Sequence, residues 1–200
     1  MNPTDRDKEP FRVGVLSVVK HDYLPRAIAP HPRFELQFVA DDETRPDWTH
    51  ERNQLFANEF EIPYLRDVRQ ALEDYDLDAV AVSPEAERHC DLAVMAAEAG
   101  KHIIIEKPAD IKPEKIDKLA RAVEKNDVKI GCIFQARLDL LNIAVRDAIQ
   151  SGRLGKLIGI HGHLPWYRKQ SYYEGEHGSW KGTWDMDGGG SCMNQGVHTV

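Results

Sequence analysis

The sequence predicts an α/β protein: a doubly wound parallel sheet over residues 11–135, followed by the start of an α/β (α+β) domain over 136–200. Three observations predict it. Short β-branched runs alternate with amphipathic helical stretches, which implies parallel strands covered on both faces. Each run stops at a polar or proline-containing turn. After residue 135 the alternation gives way to a helix, one long run and a loop dense in tryptophan and tyrosine.

The elements follow in order. Residues 1–10 form a polar tail. Arg12 to Val19 is the first strand, and a helix begins near Asp22 or Tyr23. Phe34 to Ala40 alternates and stops at Asp41-Asp42, where carboxylates end a strand. Residues 48–59 have helical composition, Ile62-Pro63-Tyr64 is a short extended piece, and Asp67 caps a helix that runs to Asp74. Ala79 to Val82 is a buried strand ending at Ser83-Pro84. Residues 86–99 carry an apolar stripe that Gly100 terminates. His102 to Ile105 is the fifth strand and ends at Glu106-Lys107-Pro108. Pro113 opens a helix that runs to about Asn126, and Lys129 to Phe134 is the sixth strand. Beyond it come a helix over about 138–151, a strand over about Lys156 to Leu164, and an aromatic loop over 165–184. Gly188-Gly189-Gly190 then opens a helix from Ser191 that is still running at Val200. A segment of ~65 residues makes a poor independent core, so the second domain is expected to be incomplete.

Composition excludes several classes. The 200 residues, 42% hydrophobic and 30% charged, suit one domain or a domain and a half. A net charge of −7 provides no field for nucleic acid or an anionic membrane. The longest apolar runs fall far short of the ~20 residues that span a bilayer. The N-terminus lacks the apolar core of a signal peptide, which predicts a cytoplasmic protein. Cys90, Cys132 and Cys192 are odd in number, widely spaced and without a CxxC pair. They imply a reducing compartment and no metal site.

In a doubly wound sheet, ligands sit at the carboxyl ends of the strands, near the switch in strand order. Four such ends carry polar residues here: Ser17 to His21, Asp41-Asp42, Ser83-Pro84 and Glu106-Lys107-Pro108. Together they suit a dinucleotide crevice.

A series of blocks appears in order along the chain. These are Glu35-Leu36 to Val39-Ala40-Asp41, Ala96 to His102, Glu106-Lys107-Pro108, Ser151 to Gly155, Trp180 to Trp184, and Gly188 to His198. On these blocks the chain resembles the glucose-fructose oxidoreductase, inositol dehydrogenase and rhizopine catabolism family (Gfo/Idh/MocA) from Phe11 to its end. The resemblance implies a Rossmann-like N-terminal domain for NAD or NADP. It also implies a substrate domain whose open sheet often forms the oligomer interface, so a homo-oligomer, and a chain longer than this one. The implied activity is hydride transfer between NAD and a hydroxyl-bearing carbon of a sugar or cyclitol.

Carried over by residue, Lys107 orients the reacting hydroxyl, and His198 removes its proton as hydride leaves. Asn194 lies one helical turn before His198; it cannot take a proton and is a hydrogen-bonding positioner. Asp41, with Asp42 as the alternative, matches the acidic residue that binds the adenosine ribose, and a carboxylate there favours NAD over NADP. Ser17, Val18, Val19, Lys20, Ser83, Pro84 and Glu106 complete the cofactor set, with Lys107 at its inner end. Arg137, Tyr167, Tyr172 and Trp184 are candidates for the substrate wall, since guanidinium and aromatic groups bond to and stack on polyols.

One block departs from the pattern. Ser17, Val19 and Asp22 stand where the glycines of GxGxxG are expected. Val19 obstructs backbone approach to a pyrophosphate and Asp22 adds negative charge, whereas Lys20 and His21 offer positive charge. Two readings therefore follow. The first is an NAD-dependent oxidoreductase, or the N-terminal part of one; the alternative is a non-catalytic or cofactor-altered member acting as a binding or assembly module.

Overall fold

The computed structural model describes residues 9–175 and 178–198. Most of the polar tail and the last two residues of the expected terminal helix lie outside the described residues. A six-stranded sheet organises the first part of the chain. Its strands are β1 (Phe11–Leu16), β2 (Phe34–Ala40), β3 (Tyr64–Leu65), β4 (Ala79–Val82), β5 (His102–Ile105) and β6 (Ile130–Cys132). Every pairing is parallel, and the order is β3-β2-β1-β4-β5-β6. The chain therefore reverses its winding between β1 and β4, which makes their carboxyl ends the place for a ligand.

Parallel central strands are buried on both faces, so they read as unbroken β-branched runs rather than alternations. Val13, Val15 and Leu16 on β1, and Val80, Ala81 and Val82 on β4, are fully buried. Gly14 interrupts β1 for a steric reason: a Cβ there would stand 2.7 Å from the Phe38 ring and 3.0 Å from Leu77. Helices α1 (Tyr23–Ile28), α2 (Asp47–Glu59), α3 (Val68–Asp74), α4 (His89–Glu98) and α5 (Pro113–Lys125) cover the two faces. The Asp67 carboxylate accepts the Gln70 amide, the expected cap of α3. Gly100 has φ +72°, a left-handed stop after α4.

Three expectations are corrected beyond these elements. The first strand stops at Leu16 rather than Val19, because Ser17 turns into the left-handed region at φ +63°. The run 156–164 forms no strand: it is exposed throughout, with Ile158 at 99%. A strand needs a hydrogen-bonding neighbour, and among the described residues none pairs with it. The segment from Ser191 is not one α-helix but a π-helical turn, Ser191–Gln195, followed by a 3-10 turn, Gly196–His198. Gly188, Gly189 and Gly190 all have positive φ, so the chain enters this segment from three successive non-helical residues.

Helix α6 (Leu140–Gln150) buries no residue. A short helix, α7 (Trp184–Asp187), precedes the glycine triplet and is capped by Thr183. Among the described residues, no helix is long and apolar enough to cross a membrane.

Candidate functional site

The loop after β1 is built by its own neighbours. The Val18 amide donates to Asn53 Oδ1 (2.9 Å), that of Val19 to Ser17 Oγ (3.4 Å), and that of His21 to Ser83 Oγ (3.3 Å). The Lys20 amide donates to the Ser83 carbonyl at 3.0 Å. Ser83 Oγ in turn donates to the His21 carbonyl at 2.6 Å. Arg52 Nε from α2 donates to the Val18 carbonyl at 2.9 Å. Three side-chain oxygens and one backbone carbonyl thus take up the amides that a glycine loop offers to a phosphate.

At the end of β2, Asp41 is fully buried and both its oxygens are engaged. Oδ1 accepts from Arg88 Nη2 at 2.5 Å and from the Asp42 amide at 2.9 Å; Oδ2 accepts from Asn53 Nδ2 at 3.1 Å. Arg88 also reaches Asp42 and the fully buried Glu85, each at 3.1 Å, and Arg45 reaches Glu85 at 3.1 Å. The turns after β2 and β4 are therefore tied together by an ion-pair bridge. Sequence reasoning named Asp41 but missed Arg88, its partner 47 residues on.

The ends of β4 and β5 are tied as well. His89, fully buried, places Nδ1 2.6 Å from the Pro108 carbonyl and Nε2 3.2 Å from that of Pro84. Burial, reinforced by the positive charge of Lys20, pushes His89 down to about 3, so the ring is neutral and has one N–H. The shorter contact assigns that proton to Nδ1. Pro84 and Pro108 thus act as backbone anchors on either side of this ring.

Lys107 follows β5 and is buried, with its amide on Glu106 Oε2 at 3.1 Å. Its Nζ donates to the Asn194 carbonyl (2.7 Å) and to Asn194 Oδ1 (2.8 Å), joining the sheet to the π-helical turn. Asn194 Nδ2 donates to Asp187 Oδ2 at 3.5 Å, and the Gly182 amide donates to the same oxygen at 2.8 Å. Asp187, buried on α7, carries no sequence signal that marks it as the third member of this chain of contacts. An ammonium has three N–H donors, and two are committed to Asn194. Burial lowers the Lys107 pKa, opposed by Glu106 and Asp187.

A cavity of about 430 Å³ opens beside Lys107 and is also lined by His198, Tyr23, Trp166, Arg168 and Tyr172. His198 is held below the usual imidazole range by burial, then by Lys107 and Lys20, so the ring is a neutral acceptor. The structure thus brings Lys107, Asn194 and His198 to one end of the sheet, and places Tyr172 on the cavity wall. The other three expected wall residues stand elsewhere. Arg137 is exposed over the Phe134 ring, Tyr167 is 80% exposed and Trp184 81% exposed. Trp166 and Arg168 take the wall positions instead. Their only sequence signal was membership of the same aromatic loop.

Residues 13–134 match the family described as an oxidoreductase family with an NAD-binding Rossmann fold, and residues 143–200 match the GFO/IDH/MocA C-terminal domain. The chain belongs to the GFO/IDH/MocA oxidoreductase family. An inositol 2-dehydrogenase of Rhizobium meliloti is 37% identical over 82 residues, which are 41% of this chain and 25% of that protein. A 1,5-anhydro-D-fructose reductase of Ensifer adhaerens is 34% identical over 109 residues, 54% of this chain and 33% of its own length. Among solved structures, the WlbA dehydrogenase of Bordetella pertussis, in complex with NADH and UDP-GlcNAcA, superposes with a TM-score of 0.78 at 25% identity. That similarity covers 96% of this chain and 56% of the WlbA chain. The chain thus spans well under two thirds of the relatives it matches.

The family fold implies NAD, and the residues present suit it at the inner end of the crevice. Lys20 is 4% exposed and its ammonium has no hydrogen-bond partner, a buried cation that calls for an anion. At the outer end, Asp41 is fully buried with Oδ1 on Arg88 and Oδ2 on Asn53, so ribose hydroxyls would have to compete with those partners.

Proposed function

We propose that the protein to which this chain belongs is an NAD-dependent oxidoreductase acting on a hydroxyl-bearing carbon of a sugar or cyclitol. The observation that carries this reading is the Lys107–Asn194 pairing beside a cavity that also holds His198. Residues 11–135 serve as the dinucleotide domain, and 136–200 begin the substrate domain. Bound nicotinamide supplies the hydride acceptor. Lys107 presents its one uncommitted N–H to the substrate oxygen and favours the alkoxide-like character that grows there. His198, neutral at physiological pH, accepts the hydroxyl proton. Asn194 holds the ammonium in place, and Asp187 holds Asn194. Tyr172, Trp166 and Arg168 form a wall suited to stacking on and hydrogen-bonding a polyol. The protein is assigned to the cytoplasm and to a homo-oligomeric state, supported by its three scattered cysteines and by the family's substrate domain.

The test is Lys107→Ala, assayed for NAD reduction against a panel of cyclitols and sugars. Turnover should fall by about 10²- to 10⁴-fold with the circular dichroism unchanged. Unchanged turnover would remove Lys107 from the reaction. A second reading, a cofactor-altered binding module, is favoured by Asp41, whose oxygens are already held by Arg88 and Asn53. Absence of NADH binding by the folded protein selects it.

A further inference from the structure

We propose that Arg168 is the specificity residue of the cavity beside Lys107 and binds a carboxylate on the substrate, so that the sugar or cyclitol oxidised there is an acid. The inference rests on the oxidoreductase reading and narrows its substrate class. Arg168 is half-buried and lines the cavity of about 430 Å³ together with Lys107 and His198. Its guanidinium carbon stands 4.8 Å from the centre of the Trp166 ring and 5.2 Å from that of Tyr172. Two aromatic rings therefore hold the cation in the wall, yet a ring supplies no lone-pair acceptor for the N–H groups of a guanidinium. Nη1 reaches the neighbouring Tyr167 carbonyl only at 3.4 Å, and among the described residues no carboxylate forms an ion pair with Arg168.

The neighbouring charges are engaged elsewhere. Glu106 Oε2 accepts the Lys107 amide at 3.1 Å, and Asp187 Oδ2 accepts the Gly182 amide at 2.8 Å. His21 and His198 also line the cavity, and burial holds both rings below the usual imidazole range, so neither carries charge near neutral pH. Lys107 commits two N–H groups to Asn194 and keeps the third for the reacting hydroxyl. Arg168 is thus the cation of the wall whose donors are left for a substrate. One guanidinium matches one planar carboxylate through two parallel hydrogen bonds. A phosphate would instead bring close to two negative charges into a cavity that already holds the Glu106 carboxylate. The carboxylate takes no part in the reaction. The carbinol C–H gives its hydride to nicotinamide, the hydroxyl proton passes to His198 and a carbonyl is left, while Arg168 fixes which carbon faces Lys107.

Calorimetric titration of the protein with glucuronate, galacturonate and gluconate, each beside its neutral amide, tests the assignment apart from turnover. Saturable binding of at least one acid is expected, at least ~10-fold tighter than that of its amide and weakened by salt. In Arg168→Gln that preference should shrink to within about twofold. A merely structural role for Arg168 would not move the ratio, because loss of structure weakens acid and amide alike. The wild-type comparison stands whether or not the variant folds. Equal affinity of the folded wild type for acid and amide, no binding of any acid, or a preference unchanged in a folded variant overturns the proposal. Tighter binding of glucose 6-phosphate than of every acid does the same. Turnover with NAD then separates the two readings. Acids that bind without being oxidised keep the carboxylate site and reject the oxidoreductase reading. Faster oxidation of neutral cyclitols than of any acid keeps that reading and rejects the carboxylate site.

Discussion

Replacing Lys20 by methionine removes a cation from a place where the fold resists one, and the effect on stability has a definite pH dependence. Burial, and secondly Lys107, bring Lys20 from 10.5 down to about 8. Between those two values the unfolded lysine still carries a proton that the folded one has released. The unfolded state therefore binds more protons, and stability rises with pH across that window. At ~1.4 kcal/mol per pH unit, the drop from 10.5 to about 8 makes the wild type about 3 kcal/mol less stable below the window than above it. Methionine matches the length of the stem without the charge, so Lys20→Met should be the more stable protein by about 3 kcal/mol near pH 7, with the gap closing toward pH ~10.5. Chemical denaturation of both proteins across that range measures the gap. Burial pushes Tyr64 up to about 12, which lowers stability at the alkaline end in both proteins and cancels in the difference, whereas Cys132, pushed up to about 11 by burial, feels the Lys20 charge and does not cancel. A difference that stays constant with pH would mean that Lys20 holds its proton as firmly in the folded protein as in the unfolded one.

Other perturbations have equally definite outcomes. Gly14→Ala puts a methyl group 2.7 Å from Phe38 in a fully buried strand pair, so thermal melts should show a loss of about 1–3 kcal/mol; a neutral result would mean that Phe38 moves freely. Arg88→Met leaves Asp41 and Glu85 buried without their shared cation, and urea unfolding should register a loss of about 3–5 kcal/mol. A loss below about 1 kcal/mol would show that solvent readily replaces the bridge. Asn194→Leu deprives Lys107 of a side-chain acceptor and should lower kcat by about 10-fold or more with little change in KM; a change confined to KM would place Asn194 in binding alone.

Legibility in the sequence followed the range of the forces involved. Ala79 to Val82 and His102 to Ile105 were readable to the residue, because a buried parallel strand is an apolar run with a hard stop at Ser83-Pro84 or Glu106-Lys107. Asp67 was readable because capping is local. The run 156–164 was misread for the opposite reason: composition shows that a segment suits a strand, not that a neighbour is there to pair with it. Ser17 shows how a turn geometry can persist when glycine does not, since it takes the left-handed conformation in a position expected to be glycine.

At the site, Lys107 and His198 were found through motifs, but the 87-residue span from Lys107 to Asn194 has no periodicity to reveal it. Arg88 on Asp41, Asn53 on the Val18 amide and Asp187 behind Asn194 were invisible because each is defined only by a tertiary partner. The aromatic wall was half readable. Composition announced a stacking surface, while the fold decided that Trp166 and Tyr172 face the cavity and that Tyr167 and Trp184 do not.

The proposed function requires that this family fold, with its glycine loop replaced, still hold a nicotinamide dinucleotide against Lys107. Titrating the purified protein with NADH while following nicotinamide fluorescence, with NADPH as the comparison, tests it most directly. Saturable binding that prefers NADH is expected. A folded protein that leaves the fluorescence of both cofactors unchanged would contradict it.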